Sequence, residues 1–155
     1  MKLRDKLIEE TILVPMRAAS QEVAIHELLT HLQSLNLLSA TIQLCTNIKE
    51  QEKVCPSSSG RGIAYPHATS IEINELTCVL GISQKGISFN SPDGHDCHLI
   101  LLTLSSADDP KGHRKFITRF HSMVQNPIIR SSLLSSEDSS AIIKIISQWE
   151  TDEMF

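Results

Sequence analysis

Gly60-Arg61-Gly62-Ile63-Ala64-Tyr65-Pro66-His67-Ala68 places a histidine directly behind a proline and downstream of two closely spaced glycines. Glycine permits backbone conformations and close approaches that a side chain would block. Pro66 fixes its own φ and pushes Tyr65 toward an extended conformation. The stretch therefore predicts a stiff, exposed bend carrying His67. An imidazole held there can act as a nucleophile, and backbone N–H groups of the glycine loop can receive an anion such as a phosphoryl group. Taken alone, the pattern also fits an ordinary Gly/Pro turn with a solvated histidine.

A second stretch narrows the choice. Leu101-Leu102-Thr103-Leu104-Ser105-Ser106-Ala107-Asp108-Asp109-Pro110-Lys111-Gly112-His113 reads as a buried strand, a short polar loop and a histidine opening a helix. With GRGIAYPHA it resembles, in order and spacing, the enzyme IIA components of the fructose, mannitol and nitrogen-type phosphotransferase system. The resemblance runs from about Leu3 to Trp149. It implies that His67 is the phosphorylated residue, that His113 lies close to it in space, and that no cofactor is needed. It also implies a three-layer α/β/α sandwich around a mixed sheet of about four strands.

Family members usually carry an Arg-Glu pair upstream of the glycine loop, whereas the aligned pair here is Gln51-Glu52. Glutamine cannot supply the charge and paired donors of a guanidinium. Arg61, inside the loop, is the expected replacement, which makes Gly60, Arg61 and Gly62 the expected phosphate-binding set. Ser59 and Tyr65 also stand where the family is usually aliphatic.

The 155 residues suit a single domain spanning 1–155. Hydrophobic residues at 41% and charged residues at 21% give a globular balance, and a net charge of −4 without basic clusters argues against a nucleic-acid surface. No stretch approaches the roughly 20 apolar residues that cross a bilayer, and the N-terminus lacks a signal-peptide pattern. A cytoplasmic location follows, with Cys45, Cys55, Cys78 and Cys97 as reduced thiols.

Ser20 caps a helix whose apolar stripe is Ile25, Leu28, Leu29, Leu32 and Leu35. Leu76 to Ile82 alternates as a strand, Lys85-Gly86 suggests a turn, and Ile87 with Phe89 opens a second strand, together a hairpin. Ser91-Pro92-Asp93-Gly94 is a further turn, and Cys97 to Leu104 is apolar enough to be covered on both faces. Phe116, Ile117, Phe120, Met123 and Val124 share one helical face. Asn126-Pro127 closes that helix and opens a short one through Leu134. A last helix, capped at Ser136, presents Ala141, Ile142, Ile145, Ile146 and Trp149. The run His95-Asp96-Cys97-His98 holds potential metal ligands, but an extended backbone turns His98 away from His95 and Cys97, so no metal site is expected.

Strands among helices indicate an α/β layered domain with some antiparallel pairing. The resemblance implies a phosphoryl carrier. Its donor would be a histidine-containing phosphocarrier protein, and its acceptor a IIB component or a regulatory target protein. The alternative class is a binding module that keeps the fold without turning over phosphate. Oligomeric state is not legible in the sequence.

Overall fold

The structure is a computed structural model and describes residues 1–153. In chain order it contains two 3-10 turns (Leu3–Asp5 and Glu9–Thr11), β1 (Ile12–Leu13), α1 (Gln21–Ser34), α2 (Ile42–Val54) and β2 (Ser58–Gly60). There follow β3 (Ile63–Ala64), β4 (His67–Ser70), β5 (Thr77–Ile87), β6 (Cys97–Ser106), α3 (His113–Val124), α4 (Pro127–Ser135) and α5 (Ser139–Glu153).

The apolar run Cys97–Ser106 is covered on both faces, as its composition predicts, and forms the strand around which the sheet is built. On one side β6 pairs antiparallel with β5, which in turn carries β1 in parallel. On the other side it pairs in parallel with β3 and, further along its own length, with β4, while β2 joins β3 antiparallel. The sheet is thus mixed, with six strands among the described residues rather than about four. The additional strands are two to four residues long. Segments so short show no alternation that could reveal them in the sequence.

Alternation along β6 sorts its side chains between two layers of helix. Leu99 and Leu101 pack with Phe116 and Phe120 of α3 and with Ile142 and Ile146 of α5. Ile100, Leu102 and Leu104 pack with Ile25, Leu28 and Leu32 of α1 and with Ile48 of α2. The result is the expected three-layer α/β/α arrangement. Each fully buried aliphatic or aromatic side chain of these layers contributes roughly 1.5–3 kcal/mol.

Three local expectations are corrected. Lys85-Gly86 does not reverse the chain: β5 runs through it, with a register irregularity between Ile82 and Ile87, and Gly86 takes a positive φ within the strand. The hairpin is instead β5–β6, closed through the Asp93-Gly94 turn. Helix α2 has no counterpart in the sequence reading because it buries only Leu44, Ile48 and Glu52, too few apolar residues for a stripe. The first turn of α5 is held by Asp138, whose carboxylate accepts the Ala141 N–H, and not by Ser136. By contrast, Ser20 and Asn126 cap α1 and α4 as expected.

The N-terminal segment is tied to the helix layer by one buried carboxylate. Glu150 accepts the N–H groups of Leu3 and Arg4 and the Nε–H of Arg119. Arg119 also lies 5.0 Å above the Trp149 ring, so Trp149 anchors α5 as its position in the stripe suggests.

Candidate active site

The placement of His67 starts six residues before β2, at Glu52. Glu52, only 4% exposed, accepts the Ser57 N–H at 2.7 Å and the Ser57 hydroxyl proton. The Ser57 oxygen in turn accepts the Tyr65 N–H at 3.2 Å. With Tyr65 so held, its carbonyl accepts from Nδ1 of His67 at 3.0 Å. A carbonyl oxygen can only accept, so the His67 proton resides on Nδ1 and the lone pair of the neutral ring is on Nε2. A buried carboxylate on α2 thereby fixes, through two intermediates, which nitrogen of His67 is available to react.

His67 is the first residue of β4, and its partner in register is Thr103 of β6. Two residues along β6, Ser105 lies on the same face of the strand. Its hydroxyl is 3.2 Å from Nδ1 of His113, the first residue of α3. The His67 and His113 rings stack with centroids 4.6 Å apart and planes 18° apart. Burial holds the His113 pKa below its ordinary value, and the neighbouring His67 and Arg114 push it the same way. His113 is therefore a neutral ring near pH 7, free to stack on a second imidazole without charge repulsion. Gly112, at the N-cap of α3, offers no side chain to the first-turn N–H groups, which carry the positive end of the helix dipole.

Beside His67 opens a cleft of about 440 Å³ whose lining includes Ile48, Gln51, Val54, Cys55, Pro66 and His67. Its walls are largely apolar. Gln51, the residue aligned with the family's arginine, lines it without contributing charge.

The expected phosphate-binding set does not join the histidines. Ile63 pairs with Leu99 but His67 with Thr103, so four residues of β6, about 13 Å, separate the start of β3 from the histidine. Gly60, Arg61 and Gly62 lie still further away, at the opposite end of β6 from His113. There the Gly62 carbonyl accepts the N–H groups of His98 and Leu99. The Arg61 N–H, which a phosphoryl group would need, is donated at 2.9 Å to Asp93. That bond is the main reason the Asp93 carboxyl is lowered to about 2, with the His95 N–H and Ser91 hydroxyl adding to it. Positive φ angles at Gly60, Arg61 and Gly62 serve a tight β2–β3 connection. An acidic side chain already occupies the donors read as an anion cradle, and a guanidinium reaching about 7 Å cannot span the strand.

The histidine-cysteine run also separates. Cys97 enters the core beside Ser58, and His98 bonds the Ser83 carbonyl through Nδ1. Among the described residues no three His, Cys, Asp or Glu side chains are grouped to hold a metal ion, and no helix is long and apolar enough to cross a membrane.

Ser57 and Ser105 were not expected in the site. Each is a serine in a serine-rich chain, and only the folded sheet brings Ser57 to Tyr65 and Ser105 to His113. Glu52 had a signal, as the acidic half of the pair aligned with the family's Arg-Glu, but its link runs through Ser57 and not directly to phosphate.

This arrangement can be compared with known proteins. Residues 6–149 match the family described as "Phosphoenolpyruvate-dependent sugar phosphotransferase system, EIIA 2". The chain is 28% identical over 148 residues to the PTS system fructose-specific EIIABC component of Bacillus subtilis, an alignment covering 96% of this chain and 23% of that protein. It thus spans about a quarter of that relative's length. It is 24% identical to a nitrogen regulatory protein of Bradyrhizobium diazoefficiens, covering 94% of this chain and 95% of the relative. In fold it is similar to nitrogen regulatory protein IIA-Ntr from Neisseria meningitidis, with a TM-score of 0.81 at 20% identity over 92% of this chain and 97% of that one. It is also similar to the Escherichia coli enzyme IIA of mannitol solved in complex with phosphorylated enzyme IIB, with a TM-score of 0.77 at 18% identity over 92% and 98%. With the match extending over nearly the whole chain, and with its fold shared by those structures, the protein belongs to the EIIA 2 family of the phosphoenolpyruvate-dependent sugar phosphotransferase system.

Proposed function

We propose that the protein is a phosphoryl carrier that takes phosphate on Nε2 of His67 from a histidine-containing phosphocarrier protein. It then passes the group to an acceptor protein, either a IIB component or a regulatory target. The observation that carries this reading is the bond from His67 Nδ1 to the Tyr65 carbonyl, which leaves the Nε2 lone pair for attack on a ring stacked against His113.

In the transfer, the P–N bond of the donor phosphohistidine breaks and its electron pair returns to the donor ring, while a new bond forms between phosphorus and Nε2 of His67. Positive charge grows on the His67 ring as it attacks. The Tyr65 carbonyl, already accepting from Nδ1, stabilises that charge without rearranging. Such transfers depend on alignment and on donors for the equatorial oxygens more than on covalent chemistry. His113 and the first turn of α3 are the groups suited to supply those donors, with Arg114 the nearby cation. The apolar cleft beside His67 offers a surface on which a partner can seat while excluding water, and a cytoplasmic setting would supply such partners.

One observation favours a second reading. Gln51 lines the cleft without charge, and Arg61 is a strand-length away, so no arginine stands where the family places one. A binding module that engages partners without efficient phosphoryl turnover would have that property.

Incubation with phosphoenolpyruvate, enzyme I and the phosphocarrier protein separates the two. The carrier gives stable, acid-labile labelling that maps to His67 and disappears in His67→Ala with the fold intact. Partner binding without labelling, or labelling retained in His67→Ala, removes the carrier reading.

A further inference from the structure

Tyr65 has a second attachment that the carrier chemistry does not use. Its phenol oxygen is 2.8 Å from Nδ1 of His121. Its ring meets those of Phe120 and His121 edge-on, at centroid distances of 6.1 and 5.9 Å. His121 lies on α3 eight residues beyond His113, about 12 Å further along the helix. Tyr65 is only 7% exposed, and burial raises its pKa, so the phenol keeps its proton. The Ser59 side chain offsets part of that shift. Tyr65, at a position where the family is usually aliphatic, therefore carries a polar contact to His121.

The consequence is geometric. Tyr65 holds His67 through its carbonyl and α3 through its hydroxyl, while the same helix presents His113 to the His67 ring. Helix α3 thus meets the 65–67 segment at two points, the imidazole stack at its first residue and the Tyr65–His121 bond two turns later. Core packing through Phe116 and Phe120 seats the helix, and the two attachments add a polar constraint that ties its axial position and rotation to the 65–67 segment itself.

We infer that Tyr65 and His121 form a positioning pair: their hydrogen bond fixes the Tyr65 carbonyl against His67 and sets the His67–His113 spacing needed for phosphoryl transfer. Neither residue contacts the phosphoryl group. This rests on the carrier reading only for its effect on rate. Its effect on the His67 ring stands by itself.

The test uses Tyr65→Phe, His121→Ala, the double variant and His121→Gln, each read by nitrogen NMR of the His67 ring and by phosphorylation rate. The wild type should show a single tautomer protonated at Nδ1. Tyr65→Phe keeps the ring that packs on Phe120 and loses only the bond, so it should give mixed tautomers and a rate lower by on the order of 10- to 100-fold, as expected for sub-ångström to 1 Å misplacement. His121→Ala should match it, the double variant should be no worse than either single, and His121→Gln, which can still pair with the hydroxyl, should recover most of the rate. The inference is overturned if both single variants keep the wild-type tautomer and rate within about twofold, or if their losses multiply in the double variant. Should Tyr65→Phe fold poorly, His121→Ala interrogates the same bond from the helix side. If the wild type takes no phosphate, the carrier reading fails, and the nitrogen spectra still decide whether the pair holds His67.

Discussion

Glu52 grips Ser57 by two hydrogen bonds, to its N–H and to its hydroxyl, reaching from α2 to the connection that leads into β2 with a carboxylate that is almost wholly buried. The pair converts the end of α2 into a support for Tyr65 and so for His67. Glu52→Ala leaves those donors without a partner and should destabilise the protein by about 1–3 kcal/mol. Urea unfolding would measure the loss, and phosphorylation of the folded fraction should also slow. Glu52→Gln, which retains one acceptor, should fall between wild type and Ala in both measurements.

His113 makes stability depend on pH. Burial lowers its pKa below 6.5, so the unfolded chain binds this proton at a higher pH than the folded one does. Between the folded pKa and 6.5 the unfolded state carries more protons, and stability rises with pH. The contribution is complete above about 6.5 and is lost as pH falls through the folded pKa. His113→Gln should flatten this part of the melting temperature profile; an unchanged slope would place the responsible proton elsewhere. In phosphoryl transfer, removing a donor of this kind should cost on the order of 10²-fold in rate while leaving His67 able to accept.

The cations at the two ends of β6 should behave differently. Arg114, at the start of α3, acts electrostatically on His113, whereas Arg61 is committed to the β2–β3 turn through its backbone. Arg114→Ala should lower the phosphorylation rate severalfold and make it less sensitive to salt. Arg61→Ala should stay within about twofold of wild type, and a severe loss in that variant would contradict the register-based separation.

Thiol labelling offers a probe of the cleft. Cys55 is exposed on its lining, Cys45 is half-buried, and Cys78 and Cys97 are buried, with the Cys78 thiol raised to about 12. A maleimide should react first at Cys55 and last at Cys78. A bulky adduct at Cys55 should block access of the phosphocarrier to His67, while Cys55→Ser should remain active and insensitive to the reagent.

The parts of this fold that could be read in the sequence were those with enough length to repeat a pattern. Leu28, Leu29 and Leu32 marked α1, Phe116 and Phe120 marked α3, and the unbroken run through Leu104 marked the central strand. His67 and His113 were legible because each sits beside punctuation, a proline before one and a Pro-Lys-Gly turn before the other. Helix α2 escaped because a helix that buries one glutamate and two aliphatics resembles a polar loop. Gly60–Gly62 lies away from the histidines for a different reason. Neighbours in sequence are not neighbours in space here, because the intervening residues extend along β6. Ser57, Ser105 and His121 could not be identified, since their roles exist only after the sheet register and the docking of α3 are set.

The pairing of both β3 and β4 with one continuous strand makes the Gly62-to-His67 interval a ruler rather than a binding loop. Side chains alternate between the two helical layers, so deleting a single residue from the interval would turn the imidazole away from His113 and toward α1 and α2, and deleting two would restore its face but withdraw it from the end of the strand. The spacing in this segment should therefore tolerate change less well than the identity of most residues within it. A loop-grafting experiment that preserves its composition but not its length would lose the site entirely.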